Sequence, residues 1–264
     1  MAPTFLELHR PGEPLLLPNP WDVGSATMLA TMGFRALATT SSGFAATLGR
    51  PDMSVTRDEA LAHAAAVVSA TDLPVSADLE NGFADDPDGV AATVRAAVEV
   101  GLAGCSVEDA TGRPNDPIYE PALAAERVAA AVEAAAGRLV VTARSENFLH
   151  ERPDLGDTIE RLQRYQQAGA HVLYAPGVVE RGQLRSLLGA VDRPVNVLAL
   201  PQAPPVPELA ELGVARVSVG GAFAFAAYGG LVAAARELRE QGTYGFWAAA
   251  GEGRRVAGQA FADG

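Results

Sequence analysis

Five carboxylates and one guanidinium in this chain are spaced as if to meet. Asp78 and Glu80 lie two apart in SADLEN, so on an extended segment both side chains leave one face while Leu79 points away. Glu108 closes a second apolar run, GCSVED, and Arg144 and Glu146 close a third, LVVTARSEN. Asp52 follows the polar turn Ser41-Ser42-Gly43 in TTSSGFAATLGRPD. Carboxylates crowded together repel one another unless a cation neutralises them. Asp52, Asp78, Glu80 and Glu108 offer only oxygen donors, which suits Mg²⁺ or Mn²⁺ better than Zn²⁺. The histidines His9, His63, His150 and His171 show no zinc-type spacing.

Arg144 has two readings: a planar fork that grips a substrate carboxylate, or an ion pair to Glu146 or Asp78. Backbone N–H groups of Ser41, Ser42 and Gly43 could hold a carboxylate or a developing enolate oxygen. Arg144, Glu108 and Glu146 are the candidate catalytic residues, and Glu146, Tyr119 and Tyr174 compete for the role of general base. Cys105 lies inside an apolar run and reads as an inert buried thiol. His63 on an alanine-rich helix and His171 at the start of a strand read as structural. SVGGAFAF reads either as a phosphate-binding cup or as close strand-to-helix packing.

Composition narrows the chemistry. The chain has 264 residues, 48% of them hydrophobic, with 20 basic and 32 acidic side chains and a net charge of −12. Every basic residue is arginine, so a lysine Schiff base is excluded. The acidity argues against nucleic acid or an anionic membrane as partner. No apolar stretch is long enough to span a bilayer. A single cysteine excludes internal disulfides, and the start MAPTFLELHR lacks a secretory pattern, so a cytoplasmic location is expected.

Positioning these residues needs a repeating scaffold. Strand candidates begin near Leu15, Ala36, Val75, Gly104, Leu139, His171, Pro194 and Arg216, with helical spacing at 57–70, 87–101, 121–136 and 157–168 between them. Several helices end at glycine, as at Gly101, Gly137 and Gly213. Eight such units, whose strands are continuous apolar runs, predict one α/β domain: a closed (β/α)8 TIM barrel with its catalytic groups at the C-terminal strand ends. Residues 1–13 are expected as a short helix packed outside the barrel, 14–240 as the barrel, and 241–264 as a helical tail lying on another subunit or on its own barrel. The loop from Ala110 to Pro121 could act as a lid.

The motifs NPWDVGSA, TTSSGFAATLGRPD, SADLENGF, GCSVEDATGRP and TARSENF, in that order, resemble the isocitrate lyase and phosphoenolpyruvate mutase superfamily. The resemblance implies a barrel that often exchanges its last helix between subunits, hence a homo-oligomer, dimer or tetramer. It also implies a Mg²⁺ ion and small 2-oxo or 2-hydroxy acids reacting through an enolate. Position by position, it implies Asp78 as the metal-binding aspartate and Glu80 where a second aspartate is usual. Asp52 and Glu108 would hold metal-bound waters, Ser42 and Gly43 the oxo-acid carboxylate, and Arg144 is the strand-five arginine.

The departures matter as much. The loop ATGRPNDPIYEP lacks the Cys, His and Lys of the lyases that cleave isocitrate and methylisocitrate. Asn115 matches the asparagine of the phosphonate branch's gating loop, but that branch's lysine is absent, and Pro176 stands where Glu or His is usual. The leading expectation is a Mg²⁺-dependent lyase or hydrolase that cleaves a C–C bond. The alternatives are phosphoenolpyruvate mutase or phosphonopyruvate hydrolase chemistry, and a catalytically silent metabolite-binding barrel.

Overall fold

The computed structural model describes residues 4–262. Eight parallel strands form one sheet: β1 (Leu15–Leu17), β2 (Leu37–Ala38), β3 (Val75–Asp78), β4 (Gly104–Glu108), β7 (Val140–Arg144), β8 (Val172–Tyr174), β9 (Val195–Leu198) and β10 (Arg216–Ser218). Neighbours run β1-β10-β9-β8-β7-β4-β3-β2, so only the β1–β2 seam lacks a ladder. Pro18, which has no N–H of its own, ends β1 and accepts from the Ala38 amide at 3.0 Å, while the Asn19 amide donates to Thr39 O at 2.9 Å. These two bonds draw the sheet into the expected (β/α)8 barrel.

The helices cover the sheet because their apolar residues recur at helical spacing. In α4 (Pro87–Glu99), Val90, Val94 and Ala97 are fully buried, and α3 (Arg57–Ser69) contributes Leu61, Ala64 and Val67 to the same core. Each fully buried valine of this kind is worth about 1.5–3 kcal/mol. Thr56 and Glu59 form a capping box on α3, and Pro87 occupies the first turn of α4 behind the Asp86 cap. A second core lies between the sheet and α5 (Pro121–Ala135), α6 (Leu155–Gln167), α7 (Arg181–Ala190) and α8 (Val206–Leu212).

The N-terminal segment departs from expectation. It holds one 3-10 turn, Leu6–Leu8, instead of an outer helix, and it seals the barrel's N-terminal end. Phe5 and Leu8 pack with Leu15, Leu17, Ala36, Ala38, Val140 and Val172. Gly104 makes the room, since a Cβ there would stand 2.7 Å from Phe5 Cε1. Two further elements stand where the sequence predicts a polar turn and a loop. Ser41–Thr47 is a short helix, α2, and the 110–121 segment is an antiparallel hairpin, β5 (Ala110–Arg113) with β6 (Asp116–Ile118). Beyond the barrel, α9 (Ala222–Gln241) is a 20-residue helix with only Ala224 buried, and α10 (Trp247–Ala260) returns to lie against α1 (Val23–Thr31). Among the described residues no helix is long and apolar enough to cross a membrane.

Candidate active site

A cavity of about 190 Å³ opens at the C-terminal ends of the strands, lined by Asn19, Ser41, Ser42, Asp52, Asp78, Ser106, Arg144, Tyr174, Asn196, Arg216 and Ser218 among others. Asp78 is its most connected carboxylate. Ending β3, it accepts from the Ser41 amide at 3.3 Å, the Glu80 amide at 3.3 Å, the Ser106 hydroxyl at 3.3 Å and Arg144 Nη1 at 3.0 Å.

Arg144 realises the ion-pair reading in full. Its Nε reaches Glu146 at 2.9 Å, Nη1 reaches Asp78 and Nη2 reaches Glu108 at 3.0 Å each. The guanidinium packs 5.2 Å from the Tyr174 ring centroid. A guanidinium has five N–H groups, so three such bonds leave one on each terminal nitrogen for a ligand.

The other predicted residues fall into two groups. Asp52, Ser41 and Ser42 line the cavity; Glu108 and Glu146 are buried behind Arg144. Glu80 faces Asp78 and Asp52, but not by strand alternation: β3 stops at Asp78, and Glu80 adopts φ +49, which turns its side chain inward. Gly43 does not line the cavity. Its amide donates to Thr40 Oγ1 at 3.3 Å as part of the α2 cap. Asn115 stands exposed at the hairpin turn, away from the cavity wall. Of the general-base candidates, Tyr119 donates its hydroxyl to Asp85 and lies under Arg127, Glu146 is held by Arg144, and Tyr174 lines the cavity.

The electrostatics match a crowd of acids. Burial, with the charges of Asp78 and Asp52, pushes the Glu80 carboxyl up to about 8. Asp52 is raised by lost hydration and by Asp78. Burial raises Glu108 and Glu146 too, against the pull of Arg144. Tyr174 is pushed up to about 12 by burial, so its phenol keeps its proton. Burial likewise pushes Cys105 up to about 12, which leaves an inert thiol. His63 is structural, bonding Trp21 O at 3.1 Å and stacking on Phe44, and His171 accepts from the Val141 amide at 3.0 Å.

Several contributors lie outside the predicted site residues. Asn19 accepts from the Val219 and Gly220 amides at 3.0 Å each, tying the loop after β10 to the seam. Gly221 is small because a Cβ there would stand 2.5 Å from Ser42 Oγ. Asp109, buried, accepts from the Glu146 amide at 2.8 Å, Tyr165 at 2.6 Å and Arg161 at 3.1 Å, and so fixes the turn that carries Glu146. Asn196 and Arg216 lie in the barrel interior. The arginine in RVSVG was their one visible signal, since a charge in a strand covered outside by helices has the barrel axis as its polar refuge.

The sequence pattern of the phosphoenolpyruvate phosphomutase family matches residues 5–239. The chain belongs to that family. It is thereby an enzyme of the isocitrate lyase and phosphoenolpyruvate mutase type, as its five motifs suggested. This family member is 37% identical over 219 residues to the uncharacterized protein Rv1998c of Mycobacterium tuberculosis, covering 82% of this chain and 81% of that one. It is 30% identical over 209 residues to 2-methylisocitrate lyase of Escherichia coli K12, covering 72% and 70%. A solved structure from Burkholderia cenocepacia J2315, provisionally assigned as a lyase/mutase, superposes with TM-score 0.91 at 52% identity over 96% of this chain and 92% of that one.

Proposed function

We propose that this enzyme cleaves a carbon–carbon bond in a small 2-oxo or 2-hydroxy carboxylic acid, as a lyase or hydrolase, by way of an enolate. The observation that carries the reading is Arg144 gathering Asp78, Glu108 and Glu146 beside a small cavity that Asp52 and Ser42 also line. The kinship to a 2-methylisocitrate lyase supports the bond class.

The acidic residues fit a hard divalent cation. All donors are oxygens, and burial, then the charge of Asp78, raises the proton affinities of Asp52 and Glu80, a cost that a bound cation would offset. Among the described residues no three acidic, histidine or cysteine side chains stand ready to hold an ion together. Asp78 would therefore hold Mg²⁺ or Mn²⁺, with Asp52, Glu80 and Glu108 acting through its waters. When bound, the cation supplies the positive charge against which an enolate can form.

The chain's own residues supply the rest. For a 2-hydroxy acid whose C3 bears a carboxylate, the hydroxyl proton passes to a cavity carboxylate, for which Asp52 is placed, as C2 becomes a carbonyl. The C2–C3 electron pair passes to the C3 fragment as an enolate, and a proton returns to C3. Tyr174, protonated and in the cavity wall, is placed to donate that proton. The two remaining Arg144 N–H groups and Ser42 orient a carboxylate, and Asp109 acts at a distance by fixing Glu146. Cleavage of isocitrate or methylisocitrate by the usual residues is disfavoured, because 110–121 carries no Cys, His or Lys. Carbon–phosphorus chemistry is disfavoured by the missing lysine and the outlying Asn115. A homo-oligomer fits the bare α9 helix.

The test is a Mg²⁺-supplemented panel that follows pyruvate, glyoxylate, acetate and phosphate release from oxaloacetate, substituted malates and phosphonopyruvate. Turnover of a C–C substrate, lost in Asp78→Ala, is expected. Phosphate release alone, or full turnover in Asp78→Ala, would overturn the assignment.

A further inference from the structure

Arg144 and Arg161 each meet carboxylates, and Arg127 donates to the carbonyls of Asn81, Ala84 and Glu108. Arg216 is different. Only 4% exposed, it donates from Nε to Asn196 Oδ1 at 2.9 Å and from Nη1 to Thr142 Oγ1 at 3.1 Å and His9 Nε2 at 3.2 Å. His9 Nδ1 bonds Phe5 O at 2.9 Å, so that nitrogen carries the hydrogen and Nε2 accepts. Every partner is neutral, and among the described residues no carboxylate lies within ion-pair reach of Arg216. Its Nη2 has no hydrogen-bond partner among them, while the side chain forms part of the cavity wall beside Asn196 and Ser218.

A buried cation without a counter-charge is costly, and such groups are normally paired. The cavity is polarised as a result. One side carries Asp52 and Asp78, with Glu80, Glu108 and Glu146 behind them, answered by Arg144 alone; the other carries Arg216 with no acid. We propose that Arg216 is a specificity-determining residue that takes a substrate carboxylate on the inner side of the cavity, so that the enzyme selects acids with a second carboxylate there. Burial, opposed by Tyr174 and aided by the like charge of Arg144, lowers the Arg216 guanidinium to about 10, in keeping with a charge that lacks its partner. The inference rests on the carboxylic-acid reading above.

The experiment is calorimetric binding, with Mg²⁺, of acid and amide pairs matched in shape: malonate and malonamate, succinate and succinamate, glutarate and glutaramate. In the wild type at least one diacid should bind about 10- to 100-fold more tightly than its half-amide, the range expected of a charged hydrogen bond. Arg216→Gln should remove that preference while leaving the half-amide's affinity unchanged. Arg216→Lys guards against misfolding of the first variant, because it keeps a positive charge in the wall and should retain most of the preference that Arg216→Gln loses. A purely structural Arg216 would leave the preference intact in Arg216→Gln, or lose it equally in both variants. Either result, or a wild type that favours no diacid over its half-amide, overturns the inference. Selective diacid binding without bond cleavage would instead sink the lyase reading and leave Arg216's role standing.

Discussion

Acidification should loosen the barrel at its sealed end, through one residue. His9 is 5% exposed, and burial, followed by the charge of Arg216, lowers its ring from 6.5 to about 3. The hydrogen bond that Nε2 accepts from Arg216 requires the neutral ring, because a protonated Nε2 could not accept it, whereas the Nδ1–H bond to Phe5 O survives protonation. Between the two values the unfolded chain binds the proton and the folded chain does not. The stability tied to His9 is therefore complete above about pH 6.5 and is lost as pH falls towards 3. One pH unit in that window corresponds to about 1.4 kcal/mol, so the loss from this ring at pH 5 is about 2 kcal/mol. Urea unfolding at fixed protein concentration, at pH 8 and pH 5, for wild type and His9→Gln, isolates the effect from the acidic residues that titrate in both. The variant should be weaker at pH 8 for want of its hydrogen bonds, yet lose about 2 kcal/mol less on going to pH 5. Parallel pH dependence in the two proteins would refute the reasoning.

Arg144→Gln should lower stability by about 3–5 kcal/mol, since it strands Glu108 and Glu146 in the interior, and should take turnover below detection; denaturant melts and the panel assay read both. Gly104→Ala should cost about 1–3 kcal/mol, because the new methyl would stand 2.7 Å from Phe5 Cε1 and 2.9 Å from Val140 O; a thermal melt checks it. Light scattering should give a dimer or larger, because α9 exposes Phe225, Leu231 and Val232 along a helix that its own barrel leaves bare, and Phe225→Glu with Leu231→Glu should shift the mass towards the monomer.

The barrel was legible because its strands, covered on both faces, are apolar runs set off by helix caps and glycine stops. All eight onsets fell where those runs begin. The N-terminal segment was not legible in the same way: FLELH pairs apolar and polar residues as an outer helix would, and only the gap left by Gly104 on a distant strand turns Phe5 inward. The acidic cluster was legible as a set, though the route was not. Counting by two brought Asp78 and Glu80 to one face, whereas the strand ends at Asp78 and a left-handed residue brings Glu80 round. Arg144 shows the limit from the other side. Its fork suits a substrate carboxylate, but three protein carboxylates converge on it, and no spacing rule reports how many acids from separate strands share one cation. Arg216 was hidden for a related reason, since its meaning lies in the acids that are not beside it.

His9 and Arg216 also tie stability to binding. Part of what keeps the His9 ring neutral is the positive charge of Arg216 across a 3.2 Å contact, and burial supplies the larger part. A carboxylate bound at Arg216 would cancel the smaller part, so the ring would accept a proton more readily with a diacid bound than without. Linkage is reciprocal: protonation of His9 must then strengthen diacid binding by the same factor. The coupling acts only where the folded ring titrates, between its value near 3 in the free enzyme and the higher value it takes with a diacid bound, so acidification towards 3 should cost wild type less diacid affinity than it costs His9→Gln. Calorimetry near that range, with the same diacid on both proteins so that its own carboxyl titration cancels in the comparison, reads the difference. Identical slopes in wild type and variant would mean that the anion sits too far from Arg216 to be felt at His9, and would place the inner carboxylate elsewhere in the cavity.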